Sequence, residues 1–495
     1  MTKPNPVIAF FFGIIFFSHV YCLEGSIAEE TIVPEIKLSL LETTRLALAN
    51  NFDIQLIKYD IWISRTRRGG STSIYDTLLE ADINYENDQS KQISTIFGTK
   101  SVDNNYNIGL SKHLPTGTTL SVDVLNHRSW TNAPFATSAL THNSAVALSV
   151  DQALGRNFFG LRDRGDIRVT QLDIEAARFT SVEKIEAEVA RVQKAYWDLV
   201  LAIELRNIAA EMLAQAKTLH QLHQDKLADG LTELPELYAA EANYRARLAE
   251  LAVDENEVKT AGHVLKLLLN LAEDIPNIVP DESLKLPEEN QATPDAVRLA
   301  FANRRDYQAS LTEIKKKGIE LDLSANDFWP EIDFTASLAR NGLGDHFSNA
   351  LNEISQEDNP QLFAGLKFSF PLENTRARSG FDKAKLEKEK ALLSLKFLER
   401  KIAVGVADRV REAHVFFEQA RSRQDIAELQ RRKLDEEEKR FRGGRSKTDT
   451  IIRFQEDLLK ARWEEAQAAY RYQLKLIDLK NEQGTLLSQD WPGEL

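Results

Sequence analysis

The chain has 495 residues, a formal net charge of −13, 28% charged residues and 43% hydrophobic residues. That length holds a large core or roughly two to four domains. The acidic balance argues against a nucleic-acid binder, which carries basic stripes, and the single cysteine, Cys22, excludes intramolecular disulfides and cysteine metal clusters.

Lys3 followed by an apolar run from Val7 to Phe17 predicts a secretory signal over residues 1–28. Cleavage falls after Cys22, or after Ala28, where Ser26 and Ala28 supply small residues. The run is short for a membrane span. Lipidation of Cys22 is the alternative, although His19, Val20 and Tyr21 lack the small residue a lipobox prefers before its cysteine. No later run reaches the ~18 apolar residues of a membrane helix. An exported chain of this kind that crosses a membrane must do so as a closed β-barrel.

An amphipathic helix is predicted over 38–67, with Leu38, Leu41, Leu46, Leu48 and Ile57 among its apolar positions and Gly69, Gly70 and Ser71 at its end. A β segment follows over 74–152. Ala81, Ile83 and Tyr85 alternate with Asp82, Asn84 and Glu86. Tyr106, Ile108 and Leu110 come next, then a turn at Pro115-Thr116-Gly117, then Leu120, Val122 and Val124, and finally Val146, Leu148 and Val150. One apolar and one polar face suits a barrel strand, and equally a soluble sheet with one wet face. A long helical hairpin is predicted over 160–272, rising to about Leu227, turning at Asp229-Gly230-Leu231 and returning from 233, with Pro235 in the first turn. Residues 273–294, with Pro276, Pro280, Pro287 and Pro294, read as a linker. A second unit spans 295–488: a helix at 295–327, a β-hairpin at 331–371 around a polar loop at 340–360, and a second long hairpin at 376–488 that turns at Gly443-Gly444. Residues 489–495 form a tail.

The two units share a register. Arg45, Leu46, Ala47, Ala49, Asn50 and Asp53 recur 253 positions later as Arg298, Leu299, Ala300, Ala302, Asn303 and Asp306. Arg162, Arg164 and Gly230 recur 214 positions later as Arg376, Arg378 and Gly444. Fixed-offset similarity of this kind marks an internal repeat. The offsets differ by 39, so the first unit is longer between its opening helix and its long helix, by about one extra β-hairpin around Pro115–Gly117. That hairpin either joins the same sheet or projects beyond it.

The doubled Arg-Leu-Ala-x-Ala-Asn opening, the strand exit Gly365-Leu-Lys-Phe-Ser-Phe-Pro-Leu372, and the tip Phe441-Arg-Gly-Gly-Arg-Ser-Lys-Thr-Asp449 with Gln455 resemble the outer-membrane efflux protein family, the TolC-type channel-tunnels, over nearly all of the mature chain. The resemblance implies an α+β membrane protein of two repeats, each a helix, a β-hairpin and a long coiled-coil helical hairpin. It implies a homotrimer sharing one transmembrane β-barrel in outer-membrane lipid and one periplasmic α-helical barrel. The implied role is the passive exit duct of a tripartite efflux pump or type I secretion system, joined to a periplasmic adaptor and an inner-membrane pump, with no cofactor, no metal and no nucleic acid. Physical reasoning points the same way: one protomer has too few strands to close a barrel, and a lone two-helix rod cannot bury its apolar stripes.

The tip residues Asp229, Gly230, Leu231, Gly443, Gly444 and Arg445 are the expected adaptor contacts, and a plain helical turn is the alternative. The resemblance places aspartates six and nine residues past the second tip glycine. Here those positions hold Thr450 and Arg453, with Asp449 one residue away and Glu236 six past Gly230. Arg453 in threefold symmetry makes a basic constriction; the alternative is that Arg453 and Asp449 are surface helix charges. The Arg/Glu run at 431–440 reads as a coiled-coil surface. His220 and His223 sit at a metal-capable spacing, but without further ligands they read as a solvated face. No nucleophile elbow, phosphate loop or HExxH-type motif points to an enzyme. The rival is a periplasmic adaptor or structural coiled-coil protein, disfavoured by two hairpins with amphipathic strands between them.

Overall fold

The structure is a computed structural model that describes residues 35–91, 93–94, 96, 98–272, 277–287, 291–356 and 359–487. The expected signal segment with its two cleavage positions, Cys22, and the tail at 489–495 lie outside the described residues.

The chain opens with a short strand, β1 (Glu35–Leu38), and then a helix that breaks. The single helix expected over 38–67 is two, α1 (Leu40–Asn50) and α2 (Phe52–Thr72). Asn51 leaves helical space with ψ 128°, its side chain accepts from the Ile54 backbone N–H at 2.9 Å, and its amide donates to the Leu268 carbonyl at 2.7 Å. An Asn that caps the next helix while tied to another element defines a break better than any local breaker. The helix also runs through Gly69 and Gly70 rather than ending there. Glycine costs a helix only about 1 kcal/mol, and Ser71 and Thr72 hydroxyls satisfy the Arg68 carbonyl. The helix expected over 295–327 breaks likewise into α5 (Thr293–Asn303) and α6 (Arg305–Asn326). Its break residue, Arg304, stands 253 positions after Asn51 and has nearly the same backbone angles, φ −60° and ψ 125°.

Six strands form one antiparallel sheet in the order β2 (Thr77–Asp88), β3 (Ser101–His113), β4 (Thr118–Thr131), β5 (Leu140–Ala153), β7 (Glu331–Gly344) and β8 (Pro360–Ser369). All four strands of the longer first β segment therefore lie in the sheet. The register lines up Leu79, Leu110, Val122, Leu148, Leu338 and Leu362 in one row, every one of them exposed. The opposite face carries Asp82, Asn107, Asp123, Ser149 and Ser337, with the Asn107 amide donating to Asp82. The loop expected at 340–360 is partly structured: β7 continues to Gly344, and Phe347–Gln356 form α7. That helix is possible because Gly342 and Gly344 lack side chains where Ala350 presses on the strand.

Two helices of 68 residues dominate the rest, α3 (Leu161–Ala228) and α8 (Thr375–Arg442), each about 100 Å long. Each follows a residue in left-handed conformation, Gly160 (φ 69°) and Asn374 (φ 43°), again 214 positions apart. The return helices are α4 (Leu234–Leu268) and α9 (Thr448–Gln483). Near the sheet, α2, α3, α6 and α8 pack side by side in that order; farther away, α4 and α9 take the places of α2 and α6. The stretch read as a linker adds β6 (Asn277–Pro280), paired parallel with β1. At the level where the helices change partners, Tyr196, Leu265, Leu269, Ile278 and Ile477 form the main core. The Tyr196 hydroxyl there meets Glu282 and the Leu38 carbonyl. No helix among the described residues is long and apolar enough to cross a membrane.

Candidate functional site at the helix tips

Both hairpins end in the same hydrogen-bonded device. At the first, the Gly230 N–H donates to the Leu227 carbonyl at 3.0 Å and the Leu231 N–H to the Lys226 carbonyl at 2.7 Å. At the second, the Gly444 N–H donates to Phe441 and the Arg445 N–H to Arg440, both at 2.9 Å. This is a Schellman cap, which needs a left-handed residue just past the helix. Gly230 (φ 71°) and Gly444 (φ 70°) supply it. Nothing crowds either glycine, so the demand is on backbone angle and not on space. Asp229, Gly230, Leu231, Gly443, Gly444 and Arg445 are all exposed, and they sit together at the end of the rod farthest from the sheet.

The two tips are fastened to each other within the chain. Leu219 of α3, Ala240 of α4 and Ile451 of α9 share a small core that Phe441 of α8 covers. His223 lies inside this joint, correcting its reading as a solvated residue: it is 3% exposed. Its Nε2 is 3.0 Å from the buried Thr448 hydroxyl and its Nδ1 is 3.4 Å from the Thr232 hydroxyl. Burial, and then the neighbouring Lys226 charge, pushes the imidazole below its ordinary pKa, against a weaker opposing pull from Glu236. Lys226 itself rests over the Phe441 ring at 4.9 Å. His220 stacks on Tyr244 instead of joining His223, and no group of three His, Cys, Asp or Glu among the described residues could hold a metal. Below the joint, Arg247 is buried and bridges Glu250 at 2.6 Å and Glu456 of α9 at 3.7 Å.

The aperture candidates divide. Asp449 and Arg453 stand exposed on the first turns of α9, and the Arg453 guanidinium lies 5.6 Å from the Phe454 ring centre. Thr450 is half-buried. Glu236 is half-buried too, and its Oε2 is sealed from solvent without a hydrogen bond, on the His223 side of the tip. The Arg/Glu run pairs mostly along its own helix, as in Arg432–Glu428 and Lys439–Glu436; Glu437 holds Arg440 and also accepts from Ser446 at 2.6 Å, and Lys433 reaches Asp457 of α9. Sequence reasoning missed the joint of His223, Thr232 and Thr448. No local signal marks it: Thr448 stands between Lys447 and Asp449, and His223 between Leu222 and Gln224.

No protein-family model matches the sequence, and no curated protein matches it. Solved structures do. The chain is similar to the CmeC outer membrane channel of Campylobacter jejuni at 15% identity, covering 91% of this chain and 86% of that one, with a TM-score of 0.65. It is similar to the outer membrane protein VceC of Vibrio cholerae at 13% identity, covering 90% and 96%, with a TM-score of 0.64. It is also similar to the open state of the MtrE outer membrane channel of Neisseria gonorrhoeae at 15% identity, covering 90% and 88%, with a TM-score of 0.65. The likeness runs over nearly the whole length of each partner and is one of fold, an α+β arrangement of sheet and long helices.

Proposed function

We propose, from the fold shared with those outer-membrane channels, that this chain is one protomer of a trimeric export duct in the outer membrane. The observation that carries the reading is the exposed apolar row Leu79–Leu110–Val122–Leu148–Leu338–Leu362 on a sheet with two free edges. An apolar belt backed by a polar face suits lipid outside and water inside, and free edges in lipid demand closure by further copies. Cyclic symmetry closes the sheet and the helical rods together. Residues 29–272 and 295–488 act as two repeats of one plan.

Transport is passive in this reading. Cargo moves through a water-filled tunnel, and an inner-membrane pump supplies the energy. The exposed tips around Asp229, Gly230, Leu231, Gly443, Gly444 and Arg445 receive the helical hairpins of a periplasmic adaptor. Asp449, Thr450 and Arg453 line the periplasmic aperture with Glu236 behind them, and Arg453 in threefold symmetry favours anionic cargo. Opening is a splaying of the tips. Cell fractionation with crosslinking tests the reading: an outer-membrane protein that crosslinks to three copies and shifts on heating supports it. A soluble periplasmic protein without a heat-sensitive trimer points to the adaptor alternative.

A further inference from the structure

Among the described residues, the strand pair β3–β4 has no counterpart in the second β segment. β2 follows α2 as β7 follows α6, and β5 leads to α3 as β8 leads to α8, so β3 and β4 are the insertion. The pair does not project from the sheet. It is hydrogen-bonded along its whole length to β2 on one side and β5 on the other. Its turn is locked into the junction between sheet and helices. Gly117 (φ 69°) lies so close to Gly160 that a Cβ on Gly117 would come within 2.6 Å of the Gly160 nitrogen. Arg164 of α3 donates to the Pro115 carbonyl at 2.8 Å, and the His113 Nε2 is 2.8 Å from the Asp163 carboxylate.

We infer that β3–β4 widens the barrel of the assembled duct to eighteen strands, so that the tunnel crosses the outer membrane without narrowing. The inference rests on the trimeric duct proposed above. The occupant of the free edges is a second copy of this chain. With six alternating strands, β2 and β8 run in opposite directions, so β8 of one copy meets β2 of the next antiparallel. Leu79 on β2 and Leu362 on β8 end the same apolar row, so this pairing continues the lipid belt around the ring. With strands about 4.8 Å apart and tilted about 40°, eighteen strands close at a backbone diameter of about 36 Å; twelve, without the hairpins, close at about 24 Å. The helical wall sets the comparison. The neighbours α2, α3, α6 and α8 give twelve helices in three copies, and at about 9 Å between neighbouring axes their axes stand on a circle about 34 Å across. The insertion thus matches the barrel to the helical tunnel beneath it, which suits bulky cargo.

Electron cryomicroscopy of the purified full chain in lipid nanodiscs tests this at the level of the membrane. A threefold ring of eighteen strands about 36 Å across is expected. A threefold ring of twelve strands, with β3–β4 outside it, overturns the inference and leaves the duct reading standing. Particles without threefold symmetry overturn both. A second measurement uses a variant lacking residues 101–139, which joins β2 to β5 as a simple hairpin. In planar bilayers, neutral polymers added from the extracellular side should enter the full chain up to roughly twofold greater molar mass than they enter the variant. An equal cut-off in the two proteins would contradict the wider barrel.

Discussion

His223 of α3 and Thr448 of α9 are 225 residues apart in sequence, and the imidazole Nε2 lies 3.0 Å from the threonine hydroxyl inside the joint between the two helix tips. The bond ties one hairpin to the other at the end of the rod that the proposed gate must move. His223→Ala removes the bond and leaves a small void, together worth about 1–2 kcal/mol. If opening breaks the joint, that loss raises the open-to-closed ratio roughly 5–30-fold. Single-channel recording reads it directly as open probability, and an unchanged value would show that opening does not break this joint.

The same residue gives a pH dependence. Burial and Lys226 hold the His223 pKa below its unfolded value of 6.5, so the folded tip prefers neutral imidazole. A group with a depressed folded pKa contributes stability above its unfolded pKa and loses it as pH falls through the folded one. Opening should therefore increase on acidification from about pH 7.5 to about pH 5, and His223→Gln should flatten that change. Equal pH profiles for the two proteins would place the titrating group elsewhere.

Glu186 on α3 carries the opposite sign. It is 4% exposed, its Oε1 has no partner, and burial pushes its pKa up to about 7 despite the nearby Arg305. Its contribution is intact below the unfolded value of 4.5 and lost as pH rises through about 7. Glu186→Gln should stabilise the protein at pH 8 by on the order of 1–2 kcal/mol and change little at pH 4. Thermal melts at the two pH values check this; a variant destabilised at pH 8 would mean that the carboxylate is needed in its charged form.

Two glycines of equal backbone angle should respond unequally. Gly230 (φ 71°) has open space around it, so Gly230→Ala costs only the conformational strain, about 1 kcal/mol, and the protein still assembles. Gly160 (φ 69°) faces the Pro115 carbonyl and has the Gly117 nitrogen within 2.8 Å of an added Cβ, so Gly160→Ala combines strain with a backbone clash at the junction of sheet and helices. Gel assays of heat-resistant oligomers should show Gly230→Ala near wild type and Gly160→Ala depleted.

Arg453 stands exposed three residues after Thr450 on the proposed aperture face. Arg453→Asp reverses one charge per protomer at the proposed aperture and should shift the reversal potential in a salt gradient towards cation preference. A shift of zero would return Arg453 to an ordinary surface charge.

Periodicity carried much of this fold into view. Period-two alternation marks the strands because one face of each is apolar, and the long rods contain no proline and only the isolated glycines Gly165, Gly380 and Gly405 before their tips. The helix breaks at Asn51 and Arg304 were hidden because neither is Gly or Pro; their ψ values of 128° and 125° are held by partners far away in sequence. Asp53 and Asp306, acidic residues in the first turn after each break, were the local trace. Helix α7 does not stand out in the sequence because its short apolar set, Phe347, Ala350, Leu351 and Ile354, is interrupted by Asn and Ser. The tip glycines could be read directly, since a left-handed cap leaves a residue-type signature. The His223 joint could not, because a single buried histidine declares itself only when its two threonines are folded against it.

Single-channel conductance of the purified, crosslink-counted protein in a planar bilayer tests the central claim most directly. The account predicts a trimer whose tips hold it nearly closed, so that it opens in small, stable steps and conducts more once His223 is replaced by alanine. A well-folded, membrane-extracted protein that conducts neither as wild type nor as His223→Ala and Arg453→Ala variants would contradict an exit duct.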